Sequence, residues 1–445
     1  MILRRTRAAL RGQRNALGRR VVGLYRGSRQ ARWAMASQVI TSGANFATTL
    51  IIVRTLGLEA FGRYSVCFLL IMIARNFLNG VVLTPMSTIA PKLRRASTEA
   101  YRGFLAINAV MFAAGSSLLL LLSALILGSL LKAPWLPILS IPLMVANLTA
   151  NGSDFLRRYH FVREAPITAF MVDAVRFSAQ LGLLLLLWAT RLPVSLTVGS
   201  ALFATALGGL AGAVSGSLTY GRLRWSGRFS RVMWPRHLKF IKWMTPNVAL
   251  EAIQGNAPLF IGTAILGETA LGAVRAMQQL ANILNLPFNA TQEIAPSVAS
   301  GAYARGGAGQ LRKTLVTMTL WCAGILAAAT GIIIALSHLV IERGIGMDVS
   351  IGLPIFLGYC LQNAALILWL PLRIRFLVME KPHIATAALF VGALTGVLAT
   401  LHFVEAGGPV TIPLVSTCIV LVSAFFHWSF GSATAGLRPT RMAKP

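Results

Sequence analysis

Arginine is the residue an apolar chain tolerates least. Three of them, Arg75, Arg176 and Arg275, sit inside stretches built mainly of Leu, Ile, Val, Ala and Phe. A guanidinium at that depth needs a counter-charge or water, and its planar donors suit a carboxylate or a phosphate held by two hydrogen bonds. Uncharged polar residues surround two of these arginines at helical steps. Asn76 and Asn79 follow Arg75, while Gln278, Gln279, Asn282, Asn285, Asn289 and Glu293 follow Arg275. Steps of three and four put such residues on one helix face, and an unpaired polar group turned to lipid is costly. These faces must meet other helices or a wet cavity. Ser37, Thr41, Asn45 and Thr48, ending at Arg54, make a third stripe; Asn247, Glu251, Gln254 and Pro258 make a fourth. Four stripes predict a shared cavity lined by Asn45, Asn76, Asn79, Asn247, Gln278, Gln279, Asn282 and Asn285, with Arg75 and Arg275 as its cations.

Covalent chemistry has no candidate constellation. The six histidines are scattered without HExxH or a Cys–His cluster, no GxxxxGK[ST] loop occurs, and the four cysteines lie singly inside apolar runs. No catalytic residue, metal site or cofactor is expected, and an enzyme is disfavoured. Two acidic residues are expected to be neutralised locally. Asp173 and Arg176 are three residues apart, with Gln180 continuing their face, and Asp154 and Arg158 are four apart. Glu293 reads as a helix-end group.

The elements that must carry these residues are membrane helices. With 56% apolar residues and a mean hydropathy of +0.70, the 445-residue chain is too hydrophobic for an ordinary soluble protein. Twelve apolar runs can be placed, at 34–57, 61–84, 103–131, 135–156, 165–189, 194–220, 243–266, 269–300, 314–340, 350–371, 383–404 and 409–431. A net charge of +29 invites a nucleic-acid reading, but its distribution points to membrane topology instead. Of the 41 basic residues, 33 fall in the tails and the even-numbered connections and five near the odd-numbered ones. That asymmetry predicts cytoplasmic termini. Residues 1–33 hold ten arginines and no acid, as an amphipathic surface helix, a disordered basic tail or an organellar presequence would. The basic segment 221–242 separates an N-lobe, 34–220, from a C-lobe, 243–431, and a C-tail, 432–445, follows.

An internal echo relates the lobes. Leu56-Gly57 and Ala60-Phe61-Gly62 match Leu266-Gly267 and Ala270-Leu271-Gly272 at an offset of 210, and Ile89-Ala90-Pro91 matches Ile294-Ala295-Pro296 at 205. The expected fold is an all-α polytopic membrane protein of about twelve transmembrane helices, in two six-helix lobes related by a pseudo-twofold axis around a central cavity.

At these echoed units the sequence resembles a known family. Arg54-Thr-Leu-Gly57-Leu-Glu-Ala-Phe-Gly62-Arg-Tyr64, and the Leu266–Asn282 stretch with Arg275 and Gln278-Gln279-Leu-Ala-Asn282, look like the polysaccharide transporters, flippases of lipid-linked oligosaccharides. Their superfamily also holds the lipid II flippase and the multidrug and toxin exporters. The resemblance implies alternating access in a bacterial inner membrane and an undecaprenyl-diphosphate-linked glycan as substrate. It implies membrane lipids, a glycan polymerase and a chain-length regulator as partners. It implies that Arg75, Arg275 and Arg54 meet the diphosphate, while Glu251 is the candidate ion-coupling carboxylate. Helices beyond the twelfth, which hold the lipid tail in the lipid II flippase, have no counterpart here. A multidrug exporter of the same architecture would want an acidic cavity instead, and a non-transporting assembly scaffold would use the basic tail and the 221–242 segment.

Overall fold

A computed structural model describes residues 2–90, 95–130, 133–190, 196–221, 223–378 and 382–434. The side chains of 2–31 and of Glu293 lie outside those described, as does the tail 435–445. The readings made of the basic N-tail's surface and of Glu293 fall there. Every described regular element is helical. In chain order these are α1 (Ile2–Leu78), α2 (Thr84–Ile89), α3 (Arg95–Leu130), α4 (Trp135–Ile138), α5 (Ser140–Val162), α6 (Pro166–Thr190), α7 (Val198–Ser217), α8 (Gly227–Leu266), α9 (Glu268–Leu284), α10 (Leu286–Ala335), α11 (Val349–Val378), α12 (Pro382–Gly407) and α13 (Thr411–Thr434). Eight stretches among the described residues are long and apolar enough to cross a membrane, and two of them, Arg32–Ser87 and Thr386–Ser429, span 56 and 44 residues. At 1.5 Å per residue each of those two crosses a hydrocarbon layer of about 30 Å twice. α5 and α9 are the more polar members that complete the twelve crossings, because they carry Asp154 and Arg275 through the layer.

Helices α3, α5, α6 and α7 pack on one another and on α1, while α8, α10, α11, α12 and α13 form a second group. The groups meet mainly where α1 crosses α9. The internal echo becomes geometry at that crossing. Gly57 breaks α1 at φ 83°, ψ 176°, and Gly267 separates α8 from α9 at φ 85°, ψ 178°. A side chain is strained at such positive φ, so both repeats need glycine at the hairpin corner. Five residues on, the helices touch backbone to backbone. A Cβ at Gly62 would run into the Glu268 carbonyl, and one at Gly272 into the Leu58 carbonyl, which is the symmetry mate of the first contact. Arg63 then ties the crossing by donating from Nε to Glu268 at 2.6 Å, with Glu59 as a second partner.

The basic connection takes a different form from the loop that its charge suggests. From Gly227 it is helix, started by the Ser226 hydroxyl accepting from the Phe229 amide at 3.3 Å, and it continues unbroken into the next crossing. Trp234 and His237 dock it on α3, with the Tyr101 hydroxyl 3.1 Å from His237 Nε2 and the Phe104 ring against both. Burial, helped by Arg236, pushes the His237 pKa down to about 4, so this contact is made by a neutral imidazole.

The crossing makes a paired prediction. Gly62→Val and Gly272→Val should each lower the melting temperature of the detergent-purified protein by a similar amount, on the order of the 1–3 kcal/mol of an overpacked contact. Gly43→Ala, where a Cβ meets nothing within 4 Å, should leave it unchanged.

Candidate anion-binding cavity

Between the two groups of helices lies a cavity of about 430 Å³. From α1 it takes Gln38, Thr41, Ser42, Asn45, Met72 and Arg75, from α5 Asp154 and Arg157, and from α6 Asp173 and Arg176. Asn256 of α8, Arg275, Gln278, Gln279 and Asn282 of α9, and Asn289 of α10 form the other wall. Among the described residues the lining therefore carries four arginines against two aspartates. Arg275 stands three residues from the Gly272 crossing and Arg75 thirteen from Gly62. At helical rise this sets them about 5 Å and about 20 Å from the point where the halves meet.

On the N-terminal side the charges neutralise one another across helices. Arg75 faces Asp154 side-on, with Nη2 donating to Oδ1 at 2.9 Å and Nε paired with Oδ2. Arg176 Nη1 reaches the same Oδ1 at 3.0 Å. Asp173 accepts from the Ser37 hydroxyl and pairs with Arg157 at 3.5 Å. The two local pairs expected from sequence are thus replaced. α5 and α6 run antiparallel in register, with Asp154 level with Arg176 and Asp173 level with Arg157. Each acid meets a guanidinium head-on across the helix interface, a better geometry than a neighbour three or four residues along its own helix offers. Asn147 and Asn151, in the same stripe as Asp154, turn instead to Ser116 and Ser117 of α3, and Gln180 turns to Thr48.

On the C-terminal side Arg275 is only 7% exposed, yet among the described residues no carboxylate pairs with it. Its Nη1 donates to the Gln278 side-chain carbonyl, its Nε is buried without an acceptor, and the Tyr359 hydroxyl is likewise unsatisfied. A buried charge left without a counter-charge is among the costliest groups a fold can hold. A cationic site of this kind is ready for an incoming anion.

The other sequence candidates are distributed as follows. Arg75, Arg275, Asn45, Gln278, Gln279 and Asn282 line the cavity. Arg54 does not: at the far end of its crossing it donates from Nε to the Gly344 carbonyl at 2.8 Å. Asn247 accepts from Thr386 at 2.8 Å, and Gln254 donates to Ser423 at 2.8 Å, so the α8 stripe faces its own half of the molecule. Glu251 is exposed and lies off the lining. Asn285 donates to Asn363 of α11 at 2.8 Å. Asn76 and Asn79 are exposed outside the cavity, at the π-helical turn Asn79–Leu83 that shifts the phase of the chain. Gln38, Ser42, Arg157 and Asn256 were not anticipated. Arg157 was readable as the next turn after Asp154, but its place beside Arg158 assigned it to the basic connection. Among the described residues no group of three or more His, Cys, Asp or Glu could hold a metal.

No protein-family model and no curated protein sequence matches the chain. Solved structures match its fold. An inward-facing multidrug resistance MATE family transporter of the MOP superfamily aligns with a TM-score of 0.71 at 12% identity, over 89% of this chain and 94% of that one. The lipid II flippase MurJ, in an inward closed conformation, aligns at 0.68 with 9% identity, over 90% and 87%. A MOP superfamily transporter from Pyrococcus furiosus, described as having a binding pocket of reverse polarity that suggests a different function, aligns at 0.66 with 13% identity, over 91% and 94%. The chain has the fold of the MOP superfamily transporters, that of a multi-pass membrane protein. At these identities the likeness extends to the fold alone.

The two halves of the cavity should respond to mutation in opposite ways. Asp154→Asn strips the counter-charge from Arg75 and Arg176 and should cost about 3–5 kcal/mol, read as a large drop in thermal stability. Arg275→Gln removes a buried charge that has no carboxylate and should leave stability unchanged or raised.

Proposed function

We propose that the protein is a flippase that moves a lipid-linked oligosaccharide, joined to its polyprenyl carrier by a diphosphate, from the cytoplasmic to the outer leaflet of a bacterial inner membrane by alternating access. Both termini lie on the cytoplasmic side in this reading, as the basic connections require. The observation that carries it is the charge of the cavity among the described residues, four arginines against two aspartates, with Arg275 buried and no described carboxylate paired with it. Guanidinium groups in a water-accessible cleft supply what a diphosphate needs to leave the headgroup layer, since both can bind phosphate oxygens in pairs. Arg275 and Arg75 are the diphosphate ligands, with Gln278, Gln279, Asn282 and Asn45 offering hydrogen bonds to sugar hydroxyls. The carrier's tail remains in lipid while the head group crosses. Glycan polymerase and chain-length regulator are the partners such a protein would serve.

The fold is shared with multidrug transporters. Export of organic cations would call for free carboxylates, however, and both cavity aspartates are already matched to arginines.

Arg275→Ala and Arg75→Ala should each abolish surface glycan in cells while the protein is made at its usual level, and Arg275→Lys should restore part of it. Unchanged surface glycan in both alanine variants would overturn the reading. Efflux of a cationic dye that survives those variants would favour drug export, and silent cavity variants beside a damaging deletion of 1–33 would favour a scaffold.

A further inference from the structure

α5 has a second working face. Away from the cavity, its Gly152 and Phe155 join Ala109 and Val110 of α3 to floor a cleft of about 310 Å³, which the turn after α7 closes with Tyr220 and Gly221. The lining is almost wholly apolar. Val110 is 66% exposed, so the cleft opens sideways, where lipid lies. At its mouth stands Arg102. A Cβ at Gly221 would come within 2.7 Å of Arg102 Nη1, and the Tyr220 hydroxyl donates to the Arg102 carbonyl at 3.0 Å. The Arg102 Nε is buried without an acceptor, and no described side chain pairs with its guanidinium. The nearby Arg163, in contrast, is engaged with Tyr159, donating to its hydroxyl at 3.2 Å and lying 5.7 Å over its ring.

We propose that this cleft is a binding site for an anionic phospholipid, with the phosphate on Arg102 and an acyl chain between α3, α5 and α7. A cation at the rim of an apolar groove between helices, on the basic side of the membrane, has the chemistry that recognises acidic headgroups. Trp225 and Trp234, 57% and 43% exposed at the same end, mark the headgroup level where indoles settle. The tail of the transported lipid is a poorer occupant. Cleft and cavity lie on opposite faces of α5, so a tail held here would leave its diphosphate at Arg102 instead of in the cavity. The site therefore does not depend on the transport reading. A bound chain would brace the helix that presents Asp154 and Arg157 to the cavity.

The test reconstitutes the full chain in membranes of equal parts phosphatidylglycerol and phosphatidylcholine, extracts it in mild detergent and measures co-purified lipid by mass spectrometry. Phosphatidylglycerol should be retained about 5-fold over phosphatidylcholine, the ratio one surface arginine supplies. Arg102→Gln should return the ratio to that of the membrane, and Arg102→Lys should keep part of it. Gly152→Val, whose Cβ meets Ala213 at an ordinary 3.7 Å, fills the cleft and should reduce total retained lipid while Arg102 stays in place. Equal retention of the two lipids by the wild-type chain, or enrichment that survives Arg102→Gln, would overturn the site. So would a polyprenyl diphosphate added to the membranes displacing phosphatidylglycerol from the wild-type chain and not from Arg102→Gln.

Discussion

A guanidinium ion buried among apolar helices must be answered by negative charge, and that demand organises this molecule. On one side of the cavity the fold supplies the answer itself. Asp154 takes Arg75 and Arg176, Asp173 takes Arg157, and three helices are thereby locked at one level. On the other side Arg275 is held with no described carboxylate beside it, and the Gln278 amide oxygen is the acceptor it reaches. The first arrangement is neutralised within the fold and the second is unfinished. Natural proteins retain costly unfinished groups where function needs them.

This asymmetry sits on a symmetric frame. Gly57 and Gly267 share one backbone conformation, and Gly62 and Gly272 make reciprocal contacts with Glu268 and Leu58. Each contact needs a glycine on one side and only main chain on the other, so it survives while the side chains around it diverge. The residues around them did diverge. Arg63 has no basic counterpart in the second repeat, where Ala273 stands at the matching position, and Ser65 stands where the other half has Arg275. The frame is duplicated, whereas the arginines of the cavity belong to one half each.

The fold was largely legible because hydropathy and the glycine echo are local signals. Twelve crossings, two halves and the hairpin corners all follow from them. The cavity was legible where a helix had one polar face, as in Thr41 with Asn45 and Gln278 with Asn282. It was not legible where two helices competed for a residue. Helical periodicity groups Asn147, Asn151 and Asp154 on one stripe, yet α3 takes the asparagines and α1 and α6 take the aspartate. Ion pairs across helices depend on register, which no single stretch encodes. Asp154 with Arg176 is the example, since both were read as partners of residues on their own helices. Arg54 and Glu251 stand off the cavity for the complementary reason, that a charged residue in a crossing can equally serve an end or an outer face.

α8 carries a mechanical consequence. Forty residues from Gly227 to Leu266 form one unbroken rod of about 60 Å, roughly twice the thickness of the hydrocarbon layer. Its basic third is pinned to α3 by Trp234 and His237, and its distal part brings Asn256 to the cavity. Tilting of one part is transmitted to the other except where Pro235, Pro246 and Pro258 let it flex. The segment between the lobes is thus a lever arm in place of a slack tether, and whatever grips its positively charged end gains leverage over the far wall of the cavity.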